Sequence, residues 1–316
     1  MKKVLVTGGA GFIGSHLCKS LLSDGYEVMC FDNLITGSSK NIEYLLTNPN
    51  FKFIEADVCD DNSVNKFNKS SINYIFHLAS PASPIDYQNF SEETLLVNSK
   101  GTLNILNLAK EIKVKVLIAS TSEIYGDPLE HPQKETYCGN VNTFGPRACY
   151  DESKRFAETA TYVYLNKYDI DARIIRIFNT YGPQMQKDDG RVVSNFINWA
   201  LKNEDIKIDG DGSQTRSFCY VSDLVDGIKK AMFTNKTKGE IFNLGNPDEF
   251  AIKELAEIVI KLTNSKSKVV YSDKFRPDDP MQRCPDITKA RKTLNWEPKV
   301  ELKEGLQKTI KYYKSF

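Results

Sequence analysis

The chain has 316 residues and nearly balanced charge, 42 Lys+Arg against 41 Asp+Glu, for a formal net charge of +1. That length can bury a substantial core as one large α/β unit with a smaller appended part. The charge balance offers no broad field to nucleic acid or an anionic membrane. No apolar run approaches the ~20 residues that span a bilayer. The apolar stretch after Met1-Lys2-Lys3 is broken by glycines before a secretory core forms, so a cytosolic protein is expected. Seven cysteines without a CxxC pair suit a reducing compartment and no structural disulfide. His16, His77 and His131 have no Cys or His partner at metal-ligand spacing, so no bound metal is expected.

In chain order, an apolar strand over 4–7 runs into Gly8-Gly9-Ala10-Gly11-Phe12-Ile13-Gly14, then a helix over 12–23, a second strand over 28–31 and Asp32. Strand, glycine turn, helix, strand and acid form the pattern of a dinucleotide-binding βαβ unit. Gly8 permits the sharp turn, Gly11 lets a pyrophosphate approach, and Gly14 seats the helix on the sheet. The diphosphate then meets the free N–H groups and positive dipole of the helix N-terminus. Asp32 would accept hydrogen bonds from the adenosine ribose and repel a 2′-phosphate, so NAD is expected over NADP.

Further apolar, β-branched runs follow at 51–55, 74–78, 116–120 and 173–178, separated by helical segments that include 91–110 and 150–167. This alternation predicts a Rossmann-type, doubly wound parallel sheet whose ligands lie beyond the strand C-terminal ends. Asp32, Asp57-Val58, His77 to Ser83, Ser120 to Glu123 and Asn179 all stand at such ends. His77, closing an apolar strand, reads as a packed histidine rather than a proton carrier. From about Gly182 the rhythm changes to loops rich in Gly, Asp and Pro (182–191, 209–214, 275–285) between helices near 192–202, 221–234 and 253–263. The division expected is a cofactor domain over 1–181 and mainly a substrate-binding cap over 182–316, with some chain exchange between them.

Tyr150 and Lys154 stand four apart on one helical face, after a strand that ends in Ser120-Thr121-Ser122. A phenol of pKa near ~10 is a poor base at neutral pH, but a lysine ammonium one turn away and a nicotinamide cation would favour the phenolate. Tyr150 could then take a proton from a substrate hydroxyl while hydride leaves for NAD, with Thr121 hydrogen-bonded to the same oxygen. A Tyr/Lys pair at this spacing is by itself common on helix surfaces; the glycine fingerprint and the Ser/Thr strand end give it meaning.

Together, Gly8 to Gly14, Asp57-Val58, His77-Leu78-Ala79, Tyr125-Gly126, Tyr150/Lys154 and 176–183 resemble the extended short-chain dehydrogenase/reductases that modify nucleotide sugars, over essentially the whole chain. Finer blocks resemble the UDP-glucuronate decarboxylase branch. They are 80–84 (SPASP), 120–127 (STSEIYGD), 145–152 (GPRACYDE), 189–196 (DGRVVSNF) and Asp278-Asp279-Pro280…Arg283…Pro285-Asp286. Ser153 and the Phe90-Ser91-Glu92-Glu93 helix start depart from that branch.

The resemblance implies NAD contacts from Gly8, Gly11, Phe12, Ile13, Gly14, Asp32, Asn33, Asp57, Val58, Leu78, Ala79, Tyr150 and Lys154. It implies nucleotide-sugar contacts from Asn179, Arg191 and Arg216, the last gripping the diphosphate, with Ser83 near the sugar carboxylate or capping a turn. Relatives that are 4,6-dehydratases carry an Asp-Glu pair where this chain has Ser122-Glu123. Loss of C6 as carbon dioxide needs no leaving-group acid, and an Asp there would repel a substrate carboxylate. The implied catalytic set is Thr121, Ser122, Glu123, Tyr150, Lys154 and Arg283, with Glu123 and Arg283 positioning or donating the proton for C5. A homodimer joined by a four-helix bundle of the 91–110 and 150–167 helices is also implied. The alternatives are a nucleotide-sugar 4,6-dehydratase acting on a UDP-, dTDP- or GDP-hexose, and a non-catalytic NAD(H)-binding regulator.

Overall fold

The structure is a computed structural model that describes residues 1–67, 71–273 and 280–315. Asp278 and Asp279, with the rest of 275–279 in the 275–285 loop, lie outside the described residues. The elements run β1 (Lys3–Thr7), α1 (Phe12–Ser23), β2 (Glu27–Asp32), β3 (Phe51–Glu55), α2 (Asp61–Asn65), β4 (Ile72–His77), α3 (Pro84–Asn89), α4 (Ser91–Leu96), α5 (Thr102–Ile112), β5 (Lys115–Thr121), α6 (Ala148–Tyr168) and β6 (Ala172–Ile177). The second part continues with β7 (Thr180–Tyr181), α7 (Val192–Lys202), β8 (Ile206–Asp209), β9 (Thr215–Ser217), β10 (Cys219–Tyr220), α8 (Val221–Phe233), β11 (Ile241–Leu244), β12 (Glu249–Ala251), α9 (Ile252–Thr263), β13 (Val269–Ser272), β14 (Gln282–Arg283), α10 (Thr288–Leu294) and α11 (Leu302–Tyr313).

Seven strands form one parallel sheet in the order β11-β6-β5-β4-β1-β2-β3. The near-continuous Val/Ile/Leu runs of β1, β4, β5 and β6 follow from burial on both faces of the sheet. Two apolar cores result, one on each face. One is built on Val4, Val6, Leu17 and Leu21 and extends through Phe242 and Trp296. The other is built on Leu5, Ile75, Ile105, Ile118 and Ile174. The six strands expected in the first part are present with ends shifted by one or two residues.

Two features differ from the sequence reading. The expected 91–110 helix is three segments, because Val97–Gly101 forms a turn of π-helix between α4 and α5. Asn98 in this turn is buried and donates to Ser80 Oγ (3.0 Å), Ser153 Oγ (3.1 Å) and Thr94 O (3.0 Å), so the bulge aims an amide at the catalytic helix. Ser153 is thereby absorbed into a network in which its hydroxyl also donates to Tyr150 O at 3.1 Å. The second is β11, a strand not named from the sequence, which comes from beyond residue 182 and pairs in parallel with β6, in keeping with the chain exchange expected between the two parts. The remaining small sheets are β12-β9-β14, β13-β8 and β10-β7, and β8, β9 and β14 share a cleft with the C-terminal ends of the main strands.

Candidate active site

A cleft of about 430 Å³ runs along those strand ends, lined from Gly8 at one extreme to Arg216 and Arg283 at the other. Its cofactor end is shaped by backbone. Gly8 has φ +70°, and a Cβ there would meet Ala79 N at 2.7 Å; one on Gly14 would meet Gly8 O at 2.0 Å. Neither position accepts a side chain. Asp32 closes the end of β2, where Oδ2 accepts from Ala10 N (2.9 Å) and Oδ1 from Leu34 N (2.8 Å). Those two bonds fix the carboxylate at the cleft wall and leave lone pairs for ribose hydroxyls. Burial raises its pKa, and the backbone N–H groups oppose that rise. Asn33 donates to Asp57 Oδ2 (3.0 Å), and Asp57 Oδ1 accepts from Cys59 N (2.7 Å). Phe12, Ile13, Val58, Leu78 and Ala79 complete this wall. Every residue expected at the cofactor therefore borders one cavity, and the glycine cradle fits a dinucleotide diphosphate at the N-terminus of α1.

Tyr150 and Lys154 rise from the first turns of α6 beside the end of β5, buried to 5% exposure each. Lys154 Nζ donates to Ala119 O at 3.0 Å and lies 5.8 Å from the Tyr150 ring centre. The favouring of the phenolate expected from the lysine ammonium together with a nicotinamide cation is opposed, in the protein alone, by burial. Burial pushes the Tyr150 phenol up, the Thr121 hydroxyl eases it back, and burial draws Lys154 down to about 7. In the protein alone both groups lean towards neutrality. Tyr87 on α3 stacks on Tyr150 with ring centres 4.9 Å apart and planes at 5°, which fixes the phenol's plane.

Ser122 and Glu123 form a 3₁₀ turn (Ser122–Tyr125) after β5, capped by Thr121 Oγ1 accepting from Glu123 N. Glu123 is gripped on both carboxylate oxygens, Oε1 by Arg283 and Oε2 by Arg147. Burial alone would raise its pKa, but the two guanidiniums outweigh it and hold the carboxyl at about 2. Glu123 is therefore an ionised anchor, and a role for it as the C5 proton donor does not fit this charge state. Arg147 stands in the expected 145–152 block without a role assigned from sequence; its neighbourhood with Glu123 is visible only in three dimensions. Asp151, also unassigned, is buried to 5% exposure with Oδ1 unpartnered.

At the substrate end, Asn179 follows β6 with a buried Nδ2 that has no partner in the protein. Arg283 Nε is likewise buried and unpaired. Both donors belong to residues that border the cleft, as expected of a site awaiting polar groups. Arg216 on β9 is buried and bonds Thr215 O at 2.9 Å, and Arg191 pairs with Asp189 (Nε to Oδ2, 2.7 Å). Ser83 borders the cleft while its Oγ accepts from Asp86 N at 3.1 Å, so it caps α3. His77 is packed between Thr7 Oγ1 (2.7 Å) and Thr102 Oγ1 (3.2 Å), and burial lowers it to about 3. Away from the cleft, folding gathers donor atoms of His131, Glu249 and Cys284 within 4.8 Å of one another, a grouping that spacing along the chain does not reveal.

The chain matches the GDP-mannose 4,6 dehydratase family over residues 5–309. It is 50% identical over 305 residues to UDP-glucuronic acid decarboxylase 5 of Arabidopsis thaliana, covering 96% of this chain and 87% of that protein. It is 49% identical over 312 residues to UDP-glucuronic acid decarboxylase 1 of Danio rerio, covering 99% of this chain and 72% of the relative. The crystal structure of UDP-glucuronic acid 4-epimerase from Bacillus cereus, in complex with UDP-glucuronic acid and NAD, superposes with a TM-score of 0.89 at 30% identity, covering 99% of each chain. Glycine cradle, Tyr/Lys pair and full-length similarity converge: the chain belongs to the GDP-mannose 4,6-dehydratase-like family of short-chain dehydrogenase/reductases, alongside the UDP-glucuronic acid decarboxylases.

Proposed function

We infer that the protein is an NAD-dependent UDP-glucuronate decarboxylase that forms UDP-xylose through a 4-keto sugar. The observation that carries this reading within the family is the Ser122-Glu123 turn. A buried neutral hydroxyl borders the cleft where a dehydratase needs an acid, and Glu123 is neutralised by two arginines. Bound NAD⁺ would accept a hydride from C4, return it at the end of the cycle, and place a positive ring beside Tyr150. Tyr150 takes the proton of the C4 hydroxyl and later gives it back. Thr121 and the Tyr150 hydroxyl hydrogen-bond the C4 oxygen as charge develops there when carbon dioxide leaves. Arg283 supplies the cation that a buried carboxylate requires, and Ser122 adds no like charge. Gly8, Gly11, Gly14, Asp32, Asn33, Asp57 and Val58 hold the adenosine and diphosphate. Asn179, Arg191 and Arg216 hold the nucleotide sugar, and Asn179 is the best supported because its amide has no other partner.

The cap reading of 182–316 is supported by β8, β9 and β14 of the small sheets, which border the cleft, with β11 as the expected chain exchange. Leu95 and Leu96 on α4 with Phe156, Tyr162 and Val163 on α6 expose 43–66% of their surface, which supports pairing of these helices with a second copy. Seven free cysteines support a reducing, cytosolic setting.

The purified protein should release one carbon dioxide per UDP-pentose formed from UDP-glucuronate without accumulating NADH, and should leave UDP-glucose undehydrated. Ser122→Asp should impair decarboxylation by a clash of about a few kcal/mol. A protein that ignores UDP-glucuronate yet makes a 4-keto-6-deoxy sugar from a nucleotide hexose overturns the reading in favour of the dehydratase.

A further inference from the structure

Asp151, the residue after Tyr150 on α6, is buried to 5% exposure, and its Oδ1 is shut from solvent without a hydrogen-bond partner. An isolated carboxylate is strongly disfavoured in such a place. Among the described residues, the charged and titratable groups facing it are Glu123 from the turn after β5, Arg147 ahead of α6, Arg283 from β14, Tyr87 from α3, and its own neighbours Cys149, Tyr150 and Glu152. Each arginine already gives a guanidinium nitrogen to one oxygen of Glu123. Asp151 thus shares a water-poor pocket with an anion that holds the stronger claim on the nearby cations. Burial and repulsion from Glu123, against the pull of Arg147 and Arg283, push its carboxyl up to about 7.

A sugar carboxylate entering the cleft, which Glu123, Arg147 and Arg283 line, adds another anion to the field that those groups set at Asp151. The chemistry also consumes a proton. The C5–C6 bond breaks, C6 departs as carbon dioxide, the electron pair stays on the sugar as an enolate, and a proton from solvent ends in the new C5–H bond. Glu123, held ionised by two guanidiniums, is poorly suited to carry that proton.

We propose that Asp151 couples substrate binding to proton uptake: when a carboxylated sugar nucleotide binds, Asp151 is driven fully to the neutral acid, so that the arginines serve Glu123 and the incoming carboxylate. This rests on the decarboxylase reading and makes Asp151 a positioning residue, acting through the Glu123–Arg147–Arg283 cluster.

Calorimetric titration of the NAD-loaded Tyr150→Phe protein at pH 7, in buffers of different ionisation enthalpy, isolates binding from turnover. UDP-glucuronate should bind with uptake of about half a proton, the fraction by which a group of pKa near 7 is unprotonated at that pH. UDP-xylose, which lacks the carboxylate, should bind with none. Adding Asp151→Asn should abolish the uptake while UDP-glucuronate still binds, and Asp151→Ser should do the same should the asparagine protein fold poorly. In the otherwise native enzyme, Asp151→Asn should remove the rise in KM for UDP-glucuronate above pH 7 and move kcat less. Uptake that persists in either variant, or none with Asp151 intact, overturns the proposal alone. Failure of UDP-glucuronate to bind overturns the decarboxylase reading, and the proposal with it.

Discussion

The two ends of the cleft are built differently. At the cofactor end, Gly8 to Gly14 and Asp32 come from 25 consecutive residues, and their polar groups are satisfied by nearby backbone, as in the bonds from Ala10 and Leu34 to Asp32. At the substrate end, Glu123 meets an arginine 160 residues away, and Asn179 Nδ2, Arg283 Nε and Asp151 Oδ1 stay unpaired. The first end is a finished surface that a dinucleotide fits. The second is completed electrostatically by what binds it, so its residues should respond to substrate charge and pH where the first should not.

The largest effect should come from cutting between the two ends. Tyr150→Phe keeps the ring stacked on Tyr87 and the cofactor cradle intact but removes the proton acceptor. Turnover should fall by roughly 10²-fold or more, with NAD still bound by calorimetry. Near-full activity would remove Tyr150 from its assigned role, and lost NAD binding would show that the two ends are not separable.

A smaller effect is expected within the cofactor end. Asp32→Ser removes the charged acceptor for the ribose hydroxyls, each such bond being worth about 1.5–3 kcal/mol. NAD affinity should drop by roughly tenfold or more and the preference over NADP should narrow. An unchanged ratio of the two dissociation constants would show that Asp32 does not select the cofactor.

The smallest effect is on stability, at the substrate end. Asp151 keeps a proton in the folded protein, up to about pH 7, that it loses far lower in the unfolded chain. Its contribution is therefore present below the unfolded pKa, near ~4, and is lost as pH rises through 7. Asp151→Asn should raise the melting temperature more at pH 8 than at pH 5. An equal shift at both pH values would mean that Asp151 is ionised throughout.

The sheet, the cofactor end and the Tyr150/Lys154 pair were legible in the sequence because each is local. Strand periodicity, a glycine spacing and an i, i+4 pair fall within a few residues and follow backbone geometry. Ser122-Glu123 was legible for the same reason. The turn of π-helix at Val97–Gly101 was not, since an added residue in a helix leaves the apolar pattern nearly intact. Arg147 and Asp151 sat in a quoted block without roles because their meaning depends on Glu123 and Arg283, which only the fold brings near. The charge states of Glu123 and Lys154 follow from burial, which no motif encodes.

Edge strand β11 carries a further consequence. Its Asn243, fully buried, accepts from Tyr125 Oη (2.8 Å) and donates to Gln133 O (2.9 Å) and Asp286 O (3.3 Å), tying the turn after β5 to the stretch that follows Arg283. During synthesis the chain emerges N-terminus first. The residues of the dinucleotide cradle are thus made long before Asn243, and Glu123 gains its second guanidinium only when nearly all of these 316 residues have been made. The charge pairing of the substrate end is therefore among the last features the growing chain can complete.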